Sequence, residues 1–252
     1  MHTLAVWTIK GGVGKTAAAV NLAHAAAITG IRTLLWDLDP QGATSFYLRA
    51  LPQLPGGVRT ILDRSRDLRQ FAQPSEFDNL FLLPADFSYR HLDLALDAGP
   101  KPRKRLAKRL RPLATDFDLL LIDCPPSVSL VSEAVLRTSD ALLVPVIPTT
   151  LSMRTLDQVR DFADAAGKHR PRVLPFLSMV DRRKRMHLDT CERCFADPDF
   201  LRTVIPSASV VERMGLTRAP VAATLPSQPA ARAFGELWRE IAERLGIGPG
   251  VG

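Results

Sequence analysis

Residues 8–19 read TIKGGVGKTAAA. Gly11, Gly12 and Gly14 followed by Lys15 and Thr16 have the composition of a phosphate-cradling loop, and the flanking residues decide whether that is chance. Upstream, Thr3 to Thr8 (TLAVWT) is a short apolar run, and downstream Thr16 to Thr29 is a helical pattern stopped by Gly30. A glycine loop between a strand and a helix gathers inward-turned N–H groups and the positive helix end at one point. Lys15 can then reach the outer phosphates of a nucleotide, and the Thr16 hydroxyl can ligate Mg²⁺. Val13 and Ala17 belong to the same nucleotide-binding stretch. The loop also holds one lysine more than phosphate cradling requires, because Lys10 stands at its lip.

The strand-helix rhythm continues outward. Arg32 to Asp37 (RTLLWD), Leu80 to Pro84, Leu119 to Asp123 (LLLID), Ala141 to Val146 and Arg172 to Val180 are nearly continuous in apolar residues, as strands buried on both faces are, and Thr203 to Ile205 adds a short one. Helical patterns cover Arg103 to Thr115, Ser127 to Arg137, Ser152 to Lys168 and Ala230 to Leu245. This alternation predicts an α/β fold, one domain over residues 1–252, with a mostly parallel sheet flanked by helices. Pro52 to Gly57 (PQLPGG) reads as a surface loop and residues 246–252 (GIGPGVG) as a frayed tail.

The 252 residues carry 33 Lys and Arg against 26 Asp and Glu, a net charge of +7, which suits a polyanionic partner. Three cysteines argue for a reducing compartment rather than a disulfide framework. No secretory pattern opens the chain, and no apolar run approaches the ~18 residues of a membrane span, so a soluble, cytoplasmic protein is expected.

Three acids complete the site. Asp37 and Asp39 lie in DLDPQG, and Asp123 ends LLLID. Acids at the carboxyl ends of buried strands sit at the sheet edge where ligands of open α/β folds bind. Asp123 is expected to hold Mg²⁺ through a water, as the second acidic motif of such enzymes does.

With KGGVGKT (Lys10 to Thr16), DLDPQG (Asp37 to Gly42), LLLIDCPP (Leu119 to Pro126), TVIPSASVVERMGLTRAPV and SQPAARAFGELWREIAERL in this order, the chain resembles the deviant-Walker ATPases of the ParA and MinD type, and within them the ParA partition branch. The resemblance implies that Lys10 crosses to the ATP of a second copy in a face-to-face homodimer, with Gly11 and Gly12 at the closest approach. It implies that Asp39 positions the attacking water with Asp37 nearer the metal, and that Asp181 and Pro206 hold adenine. It further implies nonspecific DNA binding by Arg182, Arg183, Lys184 and Arg185 and by Arg213 and Arg218, slow ATP hydrolysis stimulated by an adaptor of the ParB or an analogous type, and attachment to the nucleoid while a cargo is positioned. Two departures stand out: Ser207 follows Pro206 where many relatives carry a basic residue, and Thr8-Ile9 precedes Lys10 where relatives often read Asn-Gln. No helix-turn-helix pattern precedes the first strand, so operator-specific binding is not expected.

Other features carry weaker readings. Lys101 to Arg111 holds seven cations and no acid; Leu106 and Leu110 are expected to face the core while the cations point to solvent. Cys191 and Cys194 raise the alternative of an iron-sulfur carrier, but the segment His187 to Phe200 reads as a helix whose apolar face is Leu188, Cys191 and Phe195, which favours buried thiols. The last helix, with Leu237, Trp238, Ile241 and Leu245 on one side, is expected to dock on the core rather than on a membrane.

Overall fold

The computed structural model describes residues 1–248. One eight-stranded sheet has the order β3-β4-β2-β5-β1-β6-β7-β8. Its strands are β1 (His2–Val6), β2 (Thr33–Asp37), β3 (Gln73–Pro74), β4 (Leu80–Leu83), β5 (Leu119–Asp123), β6 (Ala141–Val146), β7 (Arg172–Val180) and β8 (Val204–Pro206). All pairings are parallel except β3 with β4. That edge strand is two residues long and contains a proline, which an edge tolerates, and no sequence periodicity announces it.

The helices are α1 (Lys15–Ile28), α2 (Ala43–Tyr47), α3 (Gly57–Leu62), α4 (Leu92–Asp97), α5 (Pro102–Leu110), α6 (Leu130–Leu136), α7 (Thr150–Asp164), α8 (Arg185–Cys194), α9 (Ser209–Glu212), α10 (Met214–Thr217), α11 (Val221–Thr224) and α12 (Pro229–Leu245). Two apolar clusters fill the two faces of the sheet. On one, Leu4 and Val6 of β1 meet α1 and α12; on the other, Ala5 and Trp7 belong with Leu106, Val135, Leu156 and Val159 from α5, α6 and α7. The alternation along β1 sends successive side chains to opposite clusters, which is why such a strand is nearly continuous in apolar residues. Alanine dominates α1, giving high helix propensity and letting the helix lie close to both the sheet and α12.

The expected helices differ mainly at their ends. Arg103 to Thr115 becomes α5 followed by a tighter 3₁₀ turn over Arg111–Thr115, where Pro112 cannot donate to a continuing α-helix. The Ser129 side chain caps α6 in a reciprocal pair with Ser132, so Ser127 and Val128 stay in the loop. The frayed-tail reading is corrected at its start: Gly246 (φ 64°) ends α12 in the left-handed conformation, Ile247 N–H donates to Ala242 O at 2.8 Å, and Ile247 is buried. The remainder of that tail, from 249 to 252, lies outside the described residues.

The outward-pointing cations of α5 need a correction too. Leu106 and Leu110 are buried as expected, but so is Arg109, whose guanidinium donates to the carbonyls of Ile61 (2.8 Å), Thr60 (3.3 Å) and Arg66 (2.7 Å). Arg105 donates to Ala95 O at 2.8 Å. Arg109→Met is therefore expected to destabilise the protein by about 3 kcal/mol in urea denaturation, because three carbonyls lose their donor together. Lys108→Met, on the exposed face of the same helix, should stay within ~0.5 kcal/mol of the parent.

Candidate functional site

The loop of residues 9–14 leaves β1 and enters α1 at the carboxyl edge of the sheet. Gly12 (φ 71°) and Gly14 (φ 88°) occupy the left-handed region, which a side chain would strain. Gly14 is also crowded, since a Cβ there would come within 3.1 Å of Ser178 Oγ. Gly11 and Gly12 are exposed, with open space on the side where a Cβ would point. Lys15 is buried and its Nζ donates to Lys10 O at 3.2 Å. Burial pulls the Lys15 pKa down, while the Asp123 and Asp39 carboxylates hold it up. The Lys10 amine turns away from the loop and donates to Ser152 Oγ at 3.2 Å, beside the Thr149 hydroxyl that caps α7.

Parallel pairing sets Asp37 of β2 directly opposite Asp123 of β5, and Val6 of β1 beside them. Both carboxyls are buried. Asp37 Oδ2 accepts from Ser45 N–H and Ser45 O–H, each at 2.7 Å, and Asp123 Oδ2 accepts from the Thr44 hydroxyl at 2.8 Å. The other oxygen of each acid, Oδ1, is buried with no hydrogen-bond partner. Burial and the facing Asp123 push the Asp37 pKa up to about 7; burial pushes Asp123 up to about 6, against the pull of the Thr44 and Thr16 hydroxyls. Two orphaned carboxylate oxygens, with the Thr16 hydroxyl beside Asp123, fit a hard cation or its water, which is the donor set that a divalent metal with oxygen ligands takes. Among the described residues no three His, Cys, Asp or Glu come together as a metal site, so any metal here would draw its remaining ligands from Thr16, water and phosphate.

Asp39 is half-buried in the turn that follows β2, where its Oδ1 accepts from Gln41 N–H at 2.9 Å and its carbonyl from Gly42 N–H at 2.9 Å. The short helix α2 then supplies Thr44 and Ser45. Sequence reading missed both, because nothing in the spacing after DPQG ties Thr44 and Ser45 to the two acids.

Beside the loop lies a cavity of 230 Å³ lined by Gly12, Gly14, Ala17, Met179, Pro206 and Phe234, among others. Its wall is built by an irregularity in β7, where the pairing with β8 shifts between Leu177 and Val180 and Met179 takes φ 55°. The same irregularity turns buried Ser178 towards the phosphate loop, donating to Val13 O at 3.0 Å. Pro206 and Ala17 reach this cavity. Asp181 does not line it; both its oxygens accept from the Arg183 guanidinium at 2.9 and 3.0 Å, and these hydrogen bonds hold the Asp181 carboxyl down at a pKa of about 2.

The basic residues divide in the same way. Arg182, Lys184 and Arg213 are exposed with no ion pair among the described residues, whereas Arg183 pairs with Asp181 and Arg185 with Asp189 at 4.0 Å. Arg218 (φ 51°) lies 4.5 Å over the Phe46 ring and donates to Phe46 O at 3.0 Å, fastening α10 to α2.

The expected helix at the CxxC pair is α8, but its buried face is His187, Thr190, Cys191 and Cys194, while Leu188 is exposed. His187 Nδ1 accepts from Asp181 N–H at 3.1 Å, so a polar residue faces inward with a partner and the apolar periodicity is misleading. Both thiols are free and buried; burial raises their pKa, that of Cys194 to about 11, and Cys194 Sγ lies 3.6 Å from Met153 Sδ. Leu237, Trp238 and Ile241 are buried against the core, and no described helix is long and apolar enough to cross a membrane.

The AAA domain family matches residues 1–173. The sporulation initiation inhibitor protein Soj of Bacillus subtilis is 29% identical over 247 residues, covering 95% of this chain and 97% of its own length. A virulence plasmid ParA family protein of Chlamydia trachomatis is 29% identical over 255 residues, covering 98% and 96%. Among solved structures, the septum site-determining protein MinD of Pyrococcus horikoshii, complexed with Mg-ADP, superposes with a TM-score of 0.79 at 22% identity, covering 98% of both chains.

Proposed function

The chain belongs to the AAA-domain family of ParA- and MinD-type ATPases, and from that premise we propose that two copies close face to face on two molecules of ATP, bind DNA without regard to sequence in that state, and let go on hydrolysis. The observation that carries this reading is the division of labour between the two lysines. Lys15 is folded back into its own loop, whereas Lys10 Nζ is held at the rim by a neutral hydroxyl of Ser152. Exposed Gly11 and Gly12 give a second chain room to approach. Val128, Leu151 and Met186, large apolar side chains exposed just after β5, β6 and β7, supply surface for it to cover.

Thr16, Asp37 and Asp123 would hold Mg²⁺, which when bound neutralises charge on the phosphates. Asp39 orients the attacking water, a task of placement more than basicity. Adenine rests in the cavity beside Pro206, with Asp181 acting from outside it through the Arg183 turn. Arg182, Lys184 and Arg213 make the first DNA contacts, because Arg183, Arg185 and Arg218 already have partners. Such contacts are to phosphate, and a dimer doubles them, so binding should be cooperative in ATP and steeply weakened by salt. The cycle fits positioning of a plasmid, a chromosome or a protein assembly on the nucleoid, reset by an adaptor of the ParB or an analogous type.

Ser178 enters as a positioning residue. Ser178→Ala removes a buried hydrogen bond to the loop carbonyl and is expected to weaken ATP and ADP alike by about tenfold, raising KM with little change in kcat, with Ser178→Thr restoring most of the loss in a fluorescent-nucleotide titration. The function itself is tested by light scattering and DNA co-sedimentation of the full chain with Mg·ATP. A dimer that sediments with DNA of unrelated sequences only in the ATP state is expected; a monomer, or binding indifferent to nucleotide, overturns the reading.

A further inference from the structure

On the face of the sheet away from α1, the carboxyl ends of α6 and α7 and the first turn of α5 enclose a separate cavity of 270 Å³. Its floor is apolar, formed by Leu136, Phe162, Ala165 and Ala166, and its wall carries Arg103, Glu133 and Arg137. Glu133 is occupied by an ion pair with Arg103. Among the described residues Arg137 has no carboxylate partner, and its Nε is buried with no acceptor. That nitrogen is closed to solvent, so a ligand in the cavity would meet the terminal nitrogens of the half-buried guanidinium, whose edge is shaped for the two oxygens of a carboxylate.

We propose that this cavity binds a carboxylate carried on a short apolar stem, with the acid on Arg137 and the stem over Leu136 and Phe162. One unpaired cation above an apolar floor matches one negative charge and an aliphatic chain, and does not match a phosphate, which would bring more charge and no apolar surface. The volume of 270 Å³ equals that of about nine waters at ~30 Å³ each, enough for a stem of roughly six carbons. Phe162 stacks on Trp7 at 5.3 Å between ring centres, and the Trp7 indole donates to Ser127 O at 3.1 Å, so the floor lies one side chain from the strand that leads into the phosphate loop. The acid can be a free carboxylic acid or a glutamate flanked by apolar residues in a partner's peptide.

Amide chemical shifts of the ¹⁵N-labelled full chain test this with three probes: hexanoate, hexan-1-ol and the peptide acetyl-Leu-Glu-Leu-amide. Hexanoate is expected to shift Leu136, Arg137, Ala165 and Ala166 saturably, with hexan-1-ol at least tenfold weaker and Arg137→Met at least tenfold weaker for hexanoate. Tighter binding of the peptide at the same amides assigns the acid to a partner; hexanoate binding alone assigns it to a free acid. Equal affinity for the alcohol, no loss in Arg137→Met, or no saturable shift with either acid overturns the proposal. Should Arg137→Met fail to fold, Arg137→Lys, which keeps the charge and loses the planar fork, is held to the same tenfold criterion.

Discussion

Lys10→Gln is expected to leave the chain monomeric at saturating Mg·ATP while nucleotide still binds, and to lower turnover by roughly 10²–10³-fold, the usual effect of deleting one preorganised group that meets developing charge. The argument separates the two lysines by what they touch. Lys15 is buried in the loop that would wrap the phosphates, so the variant keeps its nucleotide affinity. The one side-chain hydrogen bond of Lys10 among the described residues goes to Ser152, at the rim where a second copy would meet the first. Two triphosphates brought face to face repel, and a cation lent across from each side turns that repulsion into attraction. Light scattering gives the mass, and phosphate release gives the rate. A Lys10→Gln protein that dimerises normally removes the reason for assigning Lys10 to the partner's nucleotide. Lys15→Gln is the contrast, and should lose nucleotide binding itself.

Asp39→Ala should do the opposite to the same equilibrium. The dimer forms, hydrolysis falls by about 10²-fold or more, and the protein stays on DNA long after ATP is withdrawn, since orienting the attacking water is the step removed. The placement of Asp39 favours this outcome over a folding defect: it is half-buried, and the turn it caps also has the Asp39 carbonyl to Gly42 N–H bond, which alanine keeps. Asp37 and Asp123 are different. They are buried in hydrogen bonds to Ser45 and Thr44, so their removal disturbs the architecture of the sheet edge as well as the metal. Dissociation from DNA after dilution into nucleotide-free buffer reads the trapped state directly. Normal phosphate release by Asp39→Ala would transfer the water-orienting role elsewhere.

How much of this was readable beforehand follows from where the physics is local. Strands buried on both faces are apolar along nearly their whole length, so LLLID and ALLVPV announced themselves. The glycine loop did so because left-handed backbone and phosphate approach both demand glycine. A two-residue edge strand with proline has no such demand, and β3 was invisible. Nor could Thr44 and Ser45 be read as carboxylate partners, because their role exists only once parallel pairing has set Asp37 against Asp123. Arg109 shows the same limit from the other side: its charge looked like solvent-facing surface until three carbonyls from α3 and the following turn closed on it. In α8 the apolar period pointed at Leu188, while His187 and Thr190 had been brought inside by partners that spacing cannot foresee.

The irregular end of β7 joins regions that are otherwise distant in the chain. Within six residues, Ser178 fastens the phosphate loop, Met179 shapes the cavity beside it, and Asp181 anchors the turn that carries Arg182 and Lys184 to the surface. Under the proposed function, fuel gauge and track grip would be mounted on one length of main chain, and a displacement of a few tenths of an ångström at the nucleotide would have no hinge to cross before the arginines felt it. A chain wired this way would need no moving domain to tell DNA which nucleotide it holds.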